Sequence, residues 1–290
     1  MKKLIFLMPV YNDWQSLIKL LNEINAVIKD NKDFEFKCII VNDSSSVAAP
    51  KISKPNNFNS LKIINMKKNR GHARCNAAGL RFINFNEVFD YVIVMDSDGE
   101  DRPIEINDMI KKITDKNDIS VVAKRIKRSE GILFKSLYQL HKLITYVFTG
   151  KNINFGNYSC LTKRDIKAII DKPSLWSSFS GTVKKYLPNL NEVKSIRGLR
   201  YFGPSKMSLF SLAIHSFSIM AVFKFTIFIR SSVMIMLLSF FVKKLGLTIL
   251  FLLIMLIIFN LLIFIVSMRE SKQFLLKSNE NILDINDIVH

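Results

Sequence analysis

The sequence predicts an α/β fold with a mainly parallel sheet, followed by an amphipathic segment and a two-helix membrane hairpin. Three observations carry this. Short apolar runs alternate with amphipathic helical patterns through the first half, as βαβ units require. The run Tyr91-Val-Ile-Val-Met95 ends in alternating acids, Asp96, Asp98 and Glu100, at the strand end where ligands sit in parallel sheets. Leu245–Met268 is almost wholly apolar, and about 20 such residues span a bilayer.

Taken in order, Met1-Lys-Lys-Leu-Ile-Phe-Leu-Met-Pro9 opens like a signal peptide, but its apolar run stops at Pro9 with no small-residue cleavage site. Leu4–Met8 is therefore read as a first strand. Asn12 and Gln15 have capping-box spacing before a helix whose apolar face is Leu17, Leu20, Leu21, Ile24, Val27 and Ile28. Phe36–Val41 and Leu61–Ile64 are the second and third strands. Asn69-Arg-Gly-His72 leads into a helix reaching about Phe85. Tyr91–Met95 is the fourth strand, Ile104–Ile113 a helix and Ile119–Ala123 the fifth strand. Beyond it, Leu133–Phe148 reads as helix, Ile153–Leu161 as hairpin or strand, and Thr162 with Asp165 as the start of a short helix.

The expected organisation is a catalytic domain over 1–205, an amphipathic juxtamembrane segment over 206–224 containing Met207–Phe217, a transmembrane hairpin over 225–268 and a polar tail over 269–290. Phe225–Val242 is the weaker span because it contains Arg230, which is read as snorkelling from a helix end to the headgroups. Lys243-Lys-Leu-Gly246 makes the turn, so both ends of the hairpin lie on one side. Asn260 is read as a helix–helix contact.

A net charge of +18 over 290 residues suits nucleic acid, an anionic membrane surface or phosphorylated substrates. A mean hydropathy of +0.20 favours the membrane and argues against a soluble nucleic-acid binder. Cys38, Cys75 and Cys160 are far apart and form neither a disulfide framework nor a zinc spacing. Cys38 lies in a strand-like run and reads as a buried small hydrophobe.

Asp96, Asp98 and Glu100 offer hard oxygen ligands suited to Mg²⁺ or Mn²⁺ held over a phosphate. Taken alone, an acidic pair of this kind is a solvated turn, the reading that also fits Asp101 and Arg102. Pro9, Tyr11 and Asp13 either break the first strand or cradle a nucleotide base. Asp43 is a turn cap or a nucleoside contact. Gly71 and Arg74 are ordinary helix-start residues, or they allow the backbone to approach a nucleotide. Lys124, Arg125, Lys127 and Arg128 form either a solvated face or a phosphate partner beside the carboxylates. Arg200 and Lys206 meet lipid headgroups or grip a lipid phosphate. His72, His141, His215 and His290 show no ligand spacing and are expected in core or surface roles.

Together the segments Pro9–Asp13, Asn42–Ser45, Asn69–Gly71 with Arg74 and Gly79, Asp96–Glu100 and Arg200-Tyr-Phe-Gly-Pro-Ser-Lys206 resemble the inverting glycosyltransferase family 2. The resemblance is strongest to its polyprenyl-phosphate branch, the dolichol-phosphate mannosyltransferase-like and bactoprenol glucosyltransferase-like enzymes. It implies a GT-A fold, a nucleotide-sugar donor and Mg²⁺ or Mn²⁺ on Asp96, Asp98 and Glu100. It also implies donor contacts from Pro9, Tyr11, Asp13, Asp43, Gly71, Arg74 and Asp96. Arg125, Arg200, Ser205 and Lys206 would hold the acceptor phosphate. Two departures stand out: Glu100 replaces the family's usual Gln, and Asn42 replaces the first member of an acidic pair.

The resemblance thus implies inverting transfer to an undecaprenyl- or dolichyl-type phosphate by an integral membrane enzyme whose catalytic half faces the cytosol of a bacterial inner membrane. No nucleic-acid partner is expected, and a homo-oligomer is compatible. The rivals are a family 2 transferase adding sugar to a glycan hydroxyl and a non-catalytic lipid-binding scaffold. Gln-x-x-Arg-Trp, carried by processive members, is absent.

Overall fold

The computed structural model describes residues 1–115, 118–127, 132–203, 208–242 and 246–289. Its centre is a parallel block. β1 (Lys2–Val10) pairs with β2 (Phe34–Asn42) on one side and β4 (Tyr91–Val94) on the other, and β2 pairs with β3 (Ser60–Met66). β6 (Ser159–Thr162) joins β4 antiparallel and links it to β5 (Val121–Lys127), which runs parallel to β7 (Asn191–Ile196). At the opposite edge β8 (Ile282–Ile288) lies antiparallel on β3. The order is β7-β5-β6-β4-β1-β2-β3-β8.

β1 is buried on both faces, as a central strand of a covered parallel sheet must be. Its alternation sends Leu4, Phe6 and Met8 to a cluster with Leu17, Leu20, Leu21 and Ile24 of α1 (Trp14–Ile28), where α3 (Ile106–Asp115) also packs. Ile5 and Leu7 go to the other face, against Ala77, Ala78 and Leu80 of α2 (His72–Asn86). Gly79 sets that spacing: a Cβ there would run into Leu7 and lie 3.0 Å from Val41 Cγ2. α5 (Lys163–Ile169) and α6 (Phe179–Tyr186) complete this layer. All three cysteines are buried and free, in agreement with the reading of Cys38.

The expected capping box at Asn12 does not form. Asp13 is the N-cap and its side chain makes no cap bond. Asn12, at φ +52°, instead donates from Nδ2 to Ser46 Oγ (2.9 Å) and accepts from Val47 N (3.0 Å), tying β1 to the loop after β2. The Thr162 cap does form, accepting from Asp165 N at 3.1 Å. β5 starts two residues later than predicted and runs to Lys127, because its partner β7 extends the ladder. Within Ile153–Leu161 only the stretch from Ser159 is strand. The polar tail is folded: after α10 (Lys272–Leu276) it becomes β8.

Beside this domain α4 (Ile132–Thr149), α7 (Leu209–Ala221), α8 (Lys224–Ser239) and α9 (Leu247–Ser267) pack on one another, and α7 also touches α6. Among the described residues α9 is the one helix long and apolar enough to cross a membrane by itself; α7 and α8 qualify only as a pair, bent by 88°. The outer ends of α8 and α9 meet, where Lys224 Nζ lies 2.8 Å from Glu270 Oε2. Arg230 does not snorkel: its Nη1 donates to Val147 O at 2.8 Å, satisfying a carbonyl at the C-terminus of α4. Asn260 bonds within its own helix, to Leu256 O at 2.7 Å. The Lys243–Lys244 turn lies outside the described residues.

Candidate active site

The site is built on the carboxyl ends of β1, β2 and β4. β4 ends just before Met95, and residues 96–101 then turn back on themselves. Asp96 N donates to Asp101 Oδ2 (2.9 Å) and Glu100 N to Asp98 Oδ1 (3.1 Å). Ser97 Oγ donates to Pro9 O (2.7 Å), fastening this loop to the end of β1. Gly99 has φ +89°, and a Cβ there would strike the Tyr201 ring, so glycine is required twice over.

A strap from the end of β7 lies along this acidic loop. Gly198 N donates to Glu100 O (2.8 Å) and Tyr201 N to Asp98 O (3.0 Å). It delivers two guanidiniums. Arg197 pairs with Glu100, and Arg200 bridges Asp13 and Asp98, with Nη1 3.0 Å from Asp98 Oδ2. The side chains of Arg200, Asp13 and Asp98 are only 17%, 13% and 18% exposed, so this is a shielded pair rather than a surface one.

Asp96 belongs to a second group. His72 Nε2 is 2.8 Å from its Oδ1, and Asn157 Nδ2 donates to the same oxygen at 3.1 Å. Burial pushes the Asp96 pKa upward, but His72 and Arg197 outweigh it and hold the carboxyl below its usual range. Partial desolvation opposes the charged form of His72, whose side chain is still 41% exposed, yet the Asp96 carboxylate keeps its pKa raised. Burial and the neighbouring Asp96 and Glu100 charges raise Asp98 to about 6. Burial and Asp96 raise Asp101 to about 7. One loop thus holds one firmly ionised carboxylate beside two that titrate near neutrality.

The remaining expected residues fall as follows. Tyr11 stands exposed just past β1. Asp43 is buried at the end of β2 and accepts from the backbone N–H of Arg70 and of Gly71, at 2.8 Å each, clamping the loop before α2. Gly71 has φ +88°, and Arg74 reaches back to Arg70 O (3.3 Å). Arg125 lies against the backbone at Gly156, where a Cβ would collide with its guanidinium, and its charge acts on Asp101. Arg128, Ser205 and Lys206 lie outside the described residues.

The three acids expected to share a cation are not gathered: Glu100 turns to Arg197, and among the described residues no three His, Cys, Asp or Glu side chains converge. Asp96 and Asp98 remain as two hard oxygen donors on one loop. Mg²⁺ often takes one or two carboxylates and completes its shell with substrate phosphate, so this donor set fits such an ion.

Sequence reasoning missed His72, Asn157 and Arg197. His72 had one usable signal, its place directly after Gly71 at the start of a helix following a strand. Asn157 and Arg197 had none, since each arrives through strand pairings far away in the chain.

A family model described as Glycosyl transferase family 2 matches residues 5–179. The undecaprenyl-phosphate 4-deoxy-4-formamido-L-arabinose transferases of Serratia proteamaculans (strain 568) and Photorhabdus laumondii subsp. laumondii are each 26% identical to this chain, over 217 and 221 residues. The matches cover 73% of this chain but only 64% and 65% of those proteins. Among solved structures, glucosyl-3-phosphoglycerate synthase from Mycobacterium tuberculosis, in complex with Mn²⁺, uridine-diphosphate-glucose and phosphoglyceric acid, superposes with a TM-score of 0.52 at 12% identity. That likeness covers 78% of this chain and 80% of the synthase, and it marks a GT-A-like α/β fold.

Proposed function

The chain belongs to glycosyl transferase family 2, and on that premise we propose that it is a glycosyltransferase moving a sugar from a nucleotide-sugar donor to a polyprenyl phosphate at a membrane surface. The observation that carries this is the bridge from Arg200 to Asp13 and Asp98. It joins an acidic loop suited to a donor's diphosphate to a cationic strap that lies shortly before α7, α8 and α9 in the chain. The names of the bacterial relatives, undecaprenyl-phosphate transferases, support the acceptor class.

The chemistry asks little of a base. A lipid phosphate is already anionic and can attack the anomeric carbon directly, displacing the nucleotide diphosphate with inversion in a single step. Asp96 and Asp98 would hold the Mg²⁺ or Mn²⁺. When bound, the cation stabilises charge on the departing diphosphate. Arg200 and Arg125, with Ser205 and Lys206, would position the acceptor phosphate and offset repulsion between the two anions. Tyr11, Pro9 and Asp13 would line the nucleoside end of the donor site, with Asp43 holding the loop that carries Gly71 and Arg74.

The pairing of β8 with β3 supports a membrane hairpin. The chain after α9 rejoins the catalytic sheet, so the polypeptide crosses an even number of times. A helix of α9's 21 residues is about 31 Å long, matching a hydrocarbon core of about 30 Å. The 16 residues of α8 reach only about 24 Å, shorter than α9, and α7 meets it at a bend of 88°. The catalytic half would face the cytosol, where nucleotide sugars are made.

The test presents the purified protein in membranes with a panel of labelled UDP-, GDP- and other nucleotide sugars and with polyprenyl phosphate. Label extracted into the organic phase, dependent on a divalent cation, is expected from one donor. Label found only in aqueous glycan sinks the lipid-acceptor reading. Asp98→Ala should lower the rate by about 10²–10³ while the protein still inserts into membranes; full activity in that variant removes Asp98 from the cation site.

A further inference from the structure

The tail strand β8 does more than close the sheet edge. Its register sets Asp284 opposite Asn65 of β3, and Asn65 lies opposite Asn42 of β2. The three form one row across the carboxyl edge of the parallel block. We propose that this row is a directed hydrogen-bond chain through which Asp284 and Asn65 position the loops that recognise the donor's nucleobase. That role deepens the transferase reading and rests on it: Pro9, Tyr11 and Asp13 frame the nucleoside end, and the chain ends among them at Asn12.

The contacts are continuous. Asn65 Nδ2 donates to Asp284 Oδ1 (2.5 Å), which Asn286 Nδ2 also reaches at 3.2 Å. Asn42 Nδ2 donates to Asn65 Oδ1 (2.8 Å), and Asn42 Oδ1 accepts from Ser45 N (3.0 Å). Ser45 Oγ then accepts from Asn12 N at 2.9 Å, so the chain passes from the tail to the turn after β1. Asn12 in turn holds Ser46 and Val47, and Trp14 Nε1 donates to Val47 O at 3.0 Å.

The direction of the chain is fixed at both ends. A carboxylate only accepts and a backbone N–H only donates, so the two amides between Asp284 and Ser45 N have one orientation that satisfies every bond. A carboxylate at position 42 could not donate to Asn65, which accounts for the amide there. Asn42 and Asn65 are half-buried; Asp284 is exposed but held in register by the β3–β8 pairing. The loops tied in this way are strained: Asn12 and Ser44 both lie in the left-handed region, at φ +52° and +57°. Such conformations persist where the surroundings over-determine them, and they cluster at ligand sites. Asp43, between Asn42 and Ser44, turns instead to the Arg70 and Gly71 amides, so the end of β2 braces both loops. Bases are told apart by polar groups held in fixed places, and such groups depend on the hydrogen bonds behind them.

The test measures nucleotide binding, not transfer, and so stands apart from the donor–acceptor assay. Full-length protein in phosphatidylcholine nanodiscs with Mg²⁺ is titrated calorimetrically with UDP, GDP, CDP and ADP, and with inorganic diphosphate, which carries no base. Asn42→Asp sets two acceptors against each other and should lower affinity for the preferred nucleotide about tenfold, while inorganic diphosphate binds as to wild type. Adding Asp284→Asn to Asn42→Asp lets every bond re-form with the chain reversed, and should restore affinity to within about threefold of wild type. Asp284→Ala, a change at an exposed position, releases the far end and should cost about threefold. Wild-type nucleotide affinity in both Asn42→Asp and Asp284→Ala overturns the proposal. So does an equal loss for inorganic diphosphate, or a double variant that binds no better than Asn42→Asp; each leaves the transferase reading standing. A wild type that binds none of the nucleotides overturns the donor reading, and this role with it.

Discussion

Asp101 is buried behind the acidic loop, where its carboxylate accepts the Asp96 amide. Its pKa is raised to about 7, and a carboxyl raised by folding favours the native state below its ordinary value of 3.8. That contribution is lost as pH rises through about 7, where the buried group must ionise. Asp101→Asn cannot ionise, so its melting temperature relative to wild type should climb by several degrees between pH 5 and pH 8. Thermal melts of both proteins across that range check it, and a gap independent of pH counts against a buried, raised Asp101. Arg200 has a different signature. It bridges Asp13, at the expected nucleoside end, and Asp98, so Arg200→Ala leaves two shielded carboxylates without their cation. We expect KM for the lipid acceptor to rise about tenfold or more and donor affinity to change less, measured by varying each substrate separately. A collapse confined to donor affinity would remove Arg200 from the acceptor side.

At the scale of elements, the edge of the sheet carries the clearest consequence. β3 is covered by β8 through six paired positions, from Leu61 with Ile288 to Met66 with Ile282. Asn65 Nδ2 also donates to Asp284, and Lys67 N to Asn281 O at 2.8 Å. Ending the chain before Ile282 uncovers a full strand edge whose N–H and C=O groups lose their partners. Such a truncation should insert into membranes yet aggregate on extraction and melt lower than the full chain, as size-exclusion chromatography and thermal melts would record. A monodisperse, equally stable truncation would mean that β8 is dispensable. For the same reason, excising 225–290 removes part of the catalytic sheet along with the anchor. Ile282, Ile285 and Ile288 recur every third residue in β8, not every second, and this hid the strand from pattern reading.

For the whole molecule the same pairing constrains topology. The chain leaves the catalytic domain through α7, returns through α9 and re-enters the sheet, while Lys224 and Glu270 clasp the two outer ends. With the native cysteines buried, single cysteines can report sidedness. Leu283→Cys, exposed on β8, and Val47→Cys, exposed in the catalytic loops, should react with an impermeant maleimide from the same face of sealed vesicles. Labelling from opposite faces would break the hairpin and the β8 pairing together.

The alternation of strand and helix, the acidic strand end, the apolar helix and the family were all legible in the sequence, because each is written in local period, local composition or a short motif. Buried β1 shows this well: its residues are mostly apolar, and its place at the sheet centre follows from the helices on either side. Which side chains face the acids is settled by tertiary structure alone. His72, Asn157, Arg197 and Arg200 reach the loop from distant parts of the chain. Nothing local specifies such meetings. They depend on strand order and on the return of the tail to the sheet edge, which are properties of the assembled fold.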